Sequence, residues 1–206
     1  MHILIISIVF VLFSMSAFAQ DHALVIPCPD DLQSEAVDAI GELNEAVNGA
    51  VELMEDQDFN AQNLAVKWLG ARNQDDVEDA VGALQAAGGL AESVAFLCLP
   101  LTNYRNGPDG PTETIAFVYQ SEPVIHLYGN FFDKPKTGES SMVGTLLHEL
   151  MHLHFVQGAN LFQDEVYNPR EAIDLAKSEP EAALNNAQSY AFFLEALVYG
   201  AWSDVN

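Results

Sequence analysis

Between residues 30 and 54 apolar side chains recur at three- and four-residue steps: Val37, Ile40, Leu43, Val47, Val51 and Met54. Glu35, Asp38, Glu42 and Glu45 occupy the other side. This is the 3.6-residue period of an amphipathic helix, opened by Asp30 and Asp31 after a Pro27-Cys28-Pro29 turn. Shorter helices are expected over residues 60–69 and 75–87, the second ended by Gly88-Gly89. From residue 93 the period changes. Residues 94–99, 114–119 and 124–128 are short runs rich in β-branched and aromatic side chains, separated by Gly- and Pro-rich turns. They predict a small antiparallel sheet. The helical period returns over residues 140–157, where Met142, Val143, Leu146, Leu147, Leu150, Met151 and Leu153 form an apolar face. Ser140 or Ser141 can cap its start and Gly158 can close it. Asn168-Pro169-Arg170 opens a further helix to Lys177. Glu179-Pro180 opens a last one to about Tyr199, with an apolar stripe from Ala183 to Leu197. The order predicts a mainly helical α+β fold, with N-terminal helices, the sheet, the residue 140–157 helix and C-terminal helices in turn.

Composition narrows the classes. With 206 residues, half of them hydrophobic, the chain supports one domain with a sizeable core, expected to be a monomer. Its net charge is −23, with only seven basic residues. Such a chain cannot neutralise a phosphate backbone, which argues against nucleic-acid binding and against anionic membrane surfaces. Residues 1–19 read as an export signal: an apolar run from Ile3 to Phe13, then Ala17-Phe18-Ala19 before Gln20. The run is short for a membrane span. The mature domain is expected over residues 20–206, secreted or periplasmic, and the short stretch between Ala19 and Cys28 leaves no room for a propeptide. In an oxidising compartment the two cysteines, Cys28 and Cys98, suggest one disulfide.

Chemistry concentrates in one place. His148-Glu149-Leu150-Met151-His152 is an H-E-x-x-H. On a helix the two imidazoles share a face one turn apart and can reach one small ion, while Glu149 can touch a water bound to it. That pattern is two zinc ligands and a general base. A catalytic zinc usually takes a third protein ligand. Phe155 and Gly158 stand where the metzincin pattern needs Gly and His, so that class is rejected. His154 lies on a different helical face and reads as a core or supporting histidine. Glu171 and Glu195 would make a Glu-ligand site; Asp164, Glu165 or Asp174 would make an Asp-ligand site.

Several stretches resemble the deuterolysin-type zinc metallopeptidases, the aspzincins, and especially their lysine-specific endopeptidase branch. Val124-Ile125-His126-Leu127-Tyr128-Gly129-Asn130-Phe131-Phe132 is similar to the strand before the metal helix in that branch, and Thr137-Gly138 through His148-Glu149 resembles the approach to its active site. Asp164-Glu165-Val166-Tyr167 resembles the segment in which an Asp ligand precedes a functional Tyr, and residues 178–190 resemble the closing helix. The resemblance implies a zincin-like fold holding one zinc on His148, His152 and Asp164. It makes Glu149 the general base and Tyr167 a donor to the developing oxyanion. The Cys28–Cys98 pair would match the family's first disulfide; the second has no counterpart. Two departures stand out. The Gly-Thr expected before the ligand aspartate is absent, with a longer spacing from His152. The lysine-selecting acids would fall on Gln188 and Ala191, which cannot pair with an ammonium group. The expectation is therefore a secreted zinc metallo-endopeptidase acting on peptides or proteins, without lysine specificity carried over. The alternatives are a non-catalytic secreted zinc-binding protein, or a hydrolase of cell-wall peptides or of a specific toxin target.

Overall fold

The computed structural model describes residues 28–99, 103–107, 110–119, 124–154 and 162–205. The expected signal segment 1–19 and the closure at Gly158 lie outside them. His154 ends its helix as the last described residue there, and its side chain is outside the described set.

Three helices come first. α1 (Asp30–Glu55) buries Ala36, Ala39, Ile40, Leu43, Ala46, Val47, Ala50 and Met54, so alanines as well as the large aliphatics make its inner face. α2 (Phe59–Leu69) is capped by Asp58, whose carboxylate accepts from the amides of Asn60 (2.9 Å) and Ala61 (3.0 Å). α3 (Gln74–Ala91) is capped by Asn73 and runs straight through Gly88-Gly89, which the sequence reading placed at its end. The reason is packing: a Cβ on Gly88 would stand 3.2 Å from Val47 Cγ1, so the bare glycine lets α3 lie close against α1.

Five strands follow: β1 (Ala95–Leu99), β2 (Asn103–Gly107), β3 (Gly110–Thr114), β4 (Ala116–Val118) and β5 (Val124–Tyr128). β2 and β3 form an antiparallel hairpin of their own. The other three make a sheet in the order β1-β5-β4. β4 pairs antiparallel with β5, as expected, but β1 pairs with β5 in parallel, Phe96 opposite Ile125, so the sheet is mixed rather than antiparallel throughout. Alternation of side chains encodes faces, not strand direction, so the sequence could not distinguish the two. The single run expected over 114–119 is split at Ile115, whose carbonyl accepts the Tyr128 amide (2.9 Å).

α4 (Met142–His154) carries the H-E-x-x-H, and α5 (Pro169–Ser178), α6 (Pro180–Leu184) and α7 (Ala187–Tyr199) complete the chain. The last helix expected from Glu179 is broken at Asn185-Asn186, because Asn186 turns its buried side chain to another task described below. α7 is buried on nearly every side and packs against α4, α2 and α1. It is the central helix of the core. The disulfide Cys28–Cys98 is formed, its Cα atoms 5.0 Å apart, and ties the start of α1 to β1. Among the described residues no helix is long and apolar enough to cross a membrane.

Candidate metal centre

The helix that carries the histidines begins with a double cap. Ser141 Oγ accepts the Gly144 amide (3.0 Å), and the Ser141 carbonyl accepts the Thr145 amide (3.0 Å). Behind it lies Glu195 of α7, buried to 1% exposure. Its carboxylate accepts from the Ser141 amide (2.8 Å), the Ser141 hydroxyl (2.8 Å), the Ser140 amide (3.3 Å) and the Trp202 indole N–H (2.8 Å). Burial pushes the Glu195 carboxyl upward, against the pull of those four donors. A Cβ on Gly144 would overlap this carboxylate, so only glycine fits there. Glu195 is thus not a spare ligand, as the sequence allowed; it holds the head of α4.

Two turns along, His148 and His152 meet. Their Nε2 atoms are 3.1 Å apart, and Asp164 Oδ1 lies 3.2 Å from the first and 3.0 Å from the second. The three atoms form a nearly equilateral triangle. Tetrahedral ligands about 2.0–2.1 Å from a zinc ion stand about 3.3 Å from one another, close to these edges. The donor set, two imidazoles and a carboxylate, suits the same ion. His152 Nδ1 faces the Phe162 carbonyl at 3.3 Å, and donating to it leaves Nε2 with its lone pair toward the cluster.

Electrostatics reflect the crowding. Burial works to lower the His152 pKa, but the hydrogen bond and charge of Asp164, the charge of Glu149 and the Phe162 carbonyl outweigh it and the net shift is upward. Burial works to raise Asp164, yet hydrogen bonds and charge from His148 and His152 hold it far below the usual carboxylate range.

Asp164 sits on a segment pinned to α7 on both sides. Before it, the Gln163 amide donates to the Asn185 carbonyl (2.7 Å) and the Gln163 carbonyl accepts the Ala187 amide (3.1 Å). After it, Asn186 Oδ1 accepts the Glu165 amide (3.0 Å), while Nδ2 donates to Ser189 Oγ (3.0 Å) and the Val166 carbonyl (3.4 Å). Asn186 is fully buried. Sequence reasoning did not single it out.

An open cleft of about 590 Å³ lies over the cluster. Glu149, 6% exposed, and Tyr167, 61% exposed, both line it, with the Tyr167 ring 5.7 Å from that of His148. Ile115 and the β4 residues Ala116, Phe117 and Val118 form one wall; Gln188, Phe192 and Trp202 form another. Of the other candidates, Glu165, Glu171 and Asp174 are exposed and stand outside the cluster, Asp174 pairing with Lys177 at 3.9 Å. Ala191 is buried.

Residues 59–195 match the family described as lysine-specific metallo-endopeptidases, the aspzincins. The chain belongs to this family. Aspzincins use zinc, and the triangle in this member can hold it. Similar proteins are an "Extracellular protease" of Aeromonas hydrophila, 38% identical over 39% of this chain and 22% of that protein, and the "Peptidyl-Lys metalloendopeptidase" of Armillaria mellea, 36% identical over 48% of this chain and 28% of its own length. The enzyme of the same name from Pleurotus ostreatus is 39% identical over 40% of this chain and 48% of its length. The matched stretches thus span less than half of these relatives. A zinc peptidase from Grifola frondosa shares the aspzincin fold, with a TM-score of 0.66 at 23% identity over 82% of this chain and 98% of that one.

Proposed function

We propose that this aspzincin is an exported zinc-dependent endopeptidase. The observation that carries the reading is the triangle of His148, His152 and Asp164 donor atoms, 3.0–3.2 Å apart, with Glu149 beside it on the wall of an open cleft. These three residues would hold the ion. When bound, zinc supplies Lewis acidity, which polarises a peptide carbonyl and makes water a nucleophile near neutral pH.

Glu149 takes the proton from the attacking water and passes it to the leaving amine. Its near-complete burial keeps the carboxylate desolvated and its proton transfers directed into the cleft. Tyr167, on the cleft side of His148, brings a phenol donor to the oxygen that gains charge. Asn186 and the Gln163 bridge keep Asp164 aimed. An extended substrate would pair along β4, the end strand of its sheet among the described residues, which borders the cleft. Export is supported by the apolar residues 1–19 and by the disulfide.

The test is Glu149→Gln. The variant should hold one zinc per chain after dialysis and lose hydrolysis of denatured proteins by about 10³-fold or more. A variant that still cuts at near wild-type rate would remove Glu149 from the chemistry.

A further inference from the structure

The family match ends at residue 195, and the chain beyond it returns to the cleft. Gly200 closes α7 in the left-handed region (φ 67°), and the Ala201 amide donates to the Glu195 carbonyl (3.2 Å). Trp202 then stands at φ 59°, a conformation disfavoured for a bulky side chain. Three contacts hold it there. Its amide donates to Glu139 Oε1 (3.1 Å), its indole N–H donates to Glu195 Oε2 (2.8 Å), and its ring meets Phe192 edge-on at 5.2 Å. Ser140, also on the cleft wall and also left-handed at φ 52°, is bound by the same carboxylate. A buried acid with no part in bond cleavage thus fixes two strained residues of the wall, as strain over-determined at a working site would require.

We propose that Trp202 is a substrate-contacting residue, that Glu195 is its positioning residue, and that the cleft prefers peptides with an aromatic or branched aliphatic side chain near the scissile bond. This rests on the peptidase reading. Ser141, at the start of α4, and Gly144, within it, both meet Glu195 as Trp202 does and precede His148 by roughly 6–10 Å at the helical rise. An extended substrate advances about 3.3 Å per residue, so the indole meets a side chain within about three residues of the cut. Phe117, Val118 and Phe192 line the same cleft and extend an apolar surface. Among the described lining residues the carboxylates are Glu149, Asp164 and Glu195, and each is already engaged by the base role, the metal cluster or four donors. Gln188 on the α7 wall is neutral. A substrate ammonium would find no free anion there.

The experiment uses the full chain loaded with zinc and a peptide series varying one flanking residue among Phe, Leu, Lys and Glu. In Glu149→Gln, binding is followed by tryptophan emission. Of the two tryptophans Trp68 is fully buried, so Glu149→Gln/Trp202→Phe identifies the responding ring. Phe and Leu peptides should bind at least about tenfold tighter than Lys and Glu peptides, with an emission change that the double variant abolishes. In the active enzyme, Trp202→Ala should raise KM for the Phe and Leu peptides about tenfold with kcat within about twofold and zinc at one per chain. Trp202→Phe and Glu195→Gln, which keep the ring but weaken its tether, should raise KM a few-fold. A Lys preference, an unchanged KM in Trp202→Ala, or a fall in kcat at fixed KM that tracks the folded fraction would overturn the proposal. Tight Trp202-dependent binding without cleavage by the wild type would uphold Trp202 as a peptide contact but overturn the peptidase reading and the placement near a scissile bond; neither binding nor cleavage overturns both.

Discussion

Replacing glycine by alanine inside a helix usually stabilises by about 0.8–1.0 kcal/mol, because alanine loses less backbone entropy. At Gly144 the sign should reverse. A Cβ there would run into the Oε1 and Cδ atoms of Glu195. That carboxylate cannot retreat without breaking bonds from the Ser141 amide, the Ser141 hydroxyl and the Trp202 indole, each 2.8 Å long. Hydrogen bonds to a charged group contribute about 1.5–3 kcal/mol each, so losing two outweighs the helix gain and leaves a net loss of about 2–5 kcal/mol. Gly82 and Gly89 of α3 supply the controls: nothing lies within 4 Å of a Cβ at either, and both are exposed. Alanine there should stabilise by about 0.5–1 kcal/mol. Urea unfolding of the three zinc-loaded variants measures all of this at once. A Gly144→Ala midpoint at or above wild type would refute the account of Glu195 as an immovable cap.

Other outcomes follow from the same geometry. Asn186→Ala removes the 3.0 Å hydrogen bond from the Glu165 amide, next to Asp164, and the 3.0 Å bond to Ser189 Oγ that orients it, and should weaken zinc binding about 10–100-fold in a chelator competition; unchanged affinity with lowered apoprotein stability would make Asn186 merely structural. In the chelated protein the lowered Asp164 pKa contributes stability above about pH 4, lost as pH falls further, and the raised His152 pKa contributes below about pH 6.5, lost as pH rises through its folded value. Melting temperature of the apoprotein should therefore fall as pH rises above about 6.5, and His152→Asn should flatten that slope. The Cys28–Cys98 bridge, closing a separation of 70 residues, should contribute about 4 kcal/mol, so the Cys28→Ser/Cys98→Ser variant should melt about 8–16 °C lower; an unchanged melt would mean the reduced chain is already constrained.

The metal helix was legible because two periods coincide on it: the apolar face that buries Leu146, Leu147 and Leu150, and the four-residue step between His148 and His152. Asp164 was legible only through its neighbour Tyr167 and the family resemblance, since a loop carries no period. Glu195 was misjudged for a physical reason. A carboxylate at a helix position has the same appearance in sequence whether it faces a metal, water or the head of another helix, and only the packing of α7 on α4 decides. The break at Asn185-Asn186 was hidden likewise, because the apolar stripe continues in phase across it while Asn186 spends its amide on the segment that carries Asp164. Gly88-Gly89 resembled a terminator, and the closeness of Val47 made it a seam instead.

Two donors of the triangle ride on the body of α4, and the third on a strap stitched to the head of α7. These helices already adhere through their own hydrocarbon, so an ion at the triangle acts as a clasp across a finished joint. Stripping the metal should then silence the protein while leaving it folded and rechargeable, unlike a small finger domain whose whole core waits for its ion.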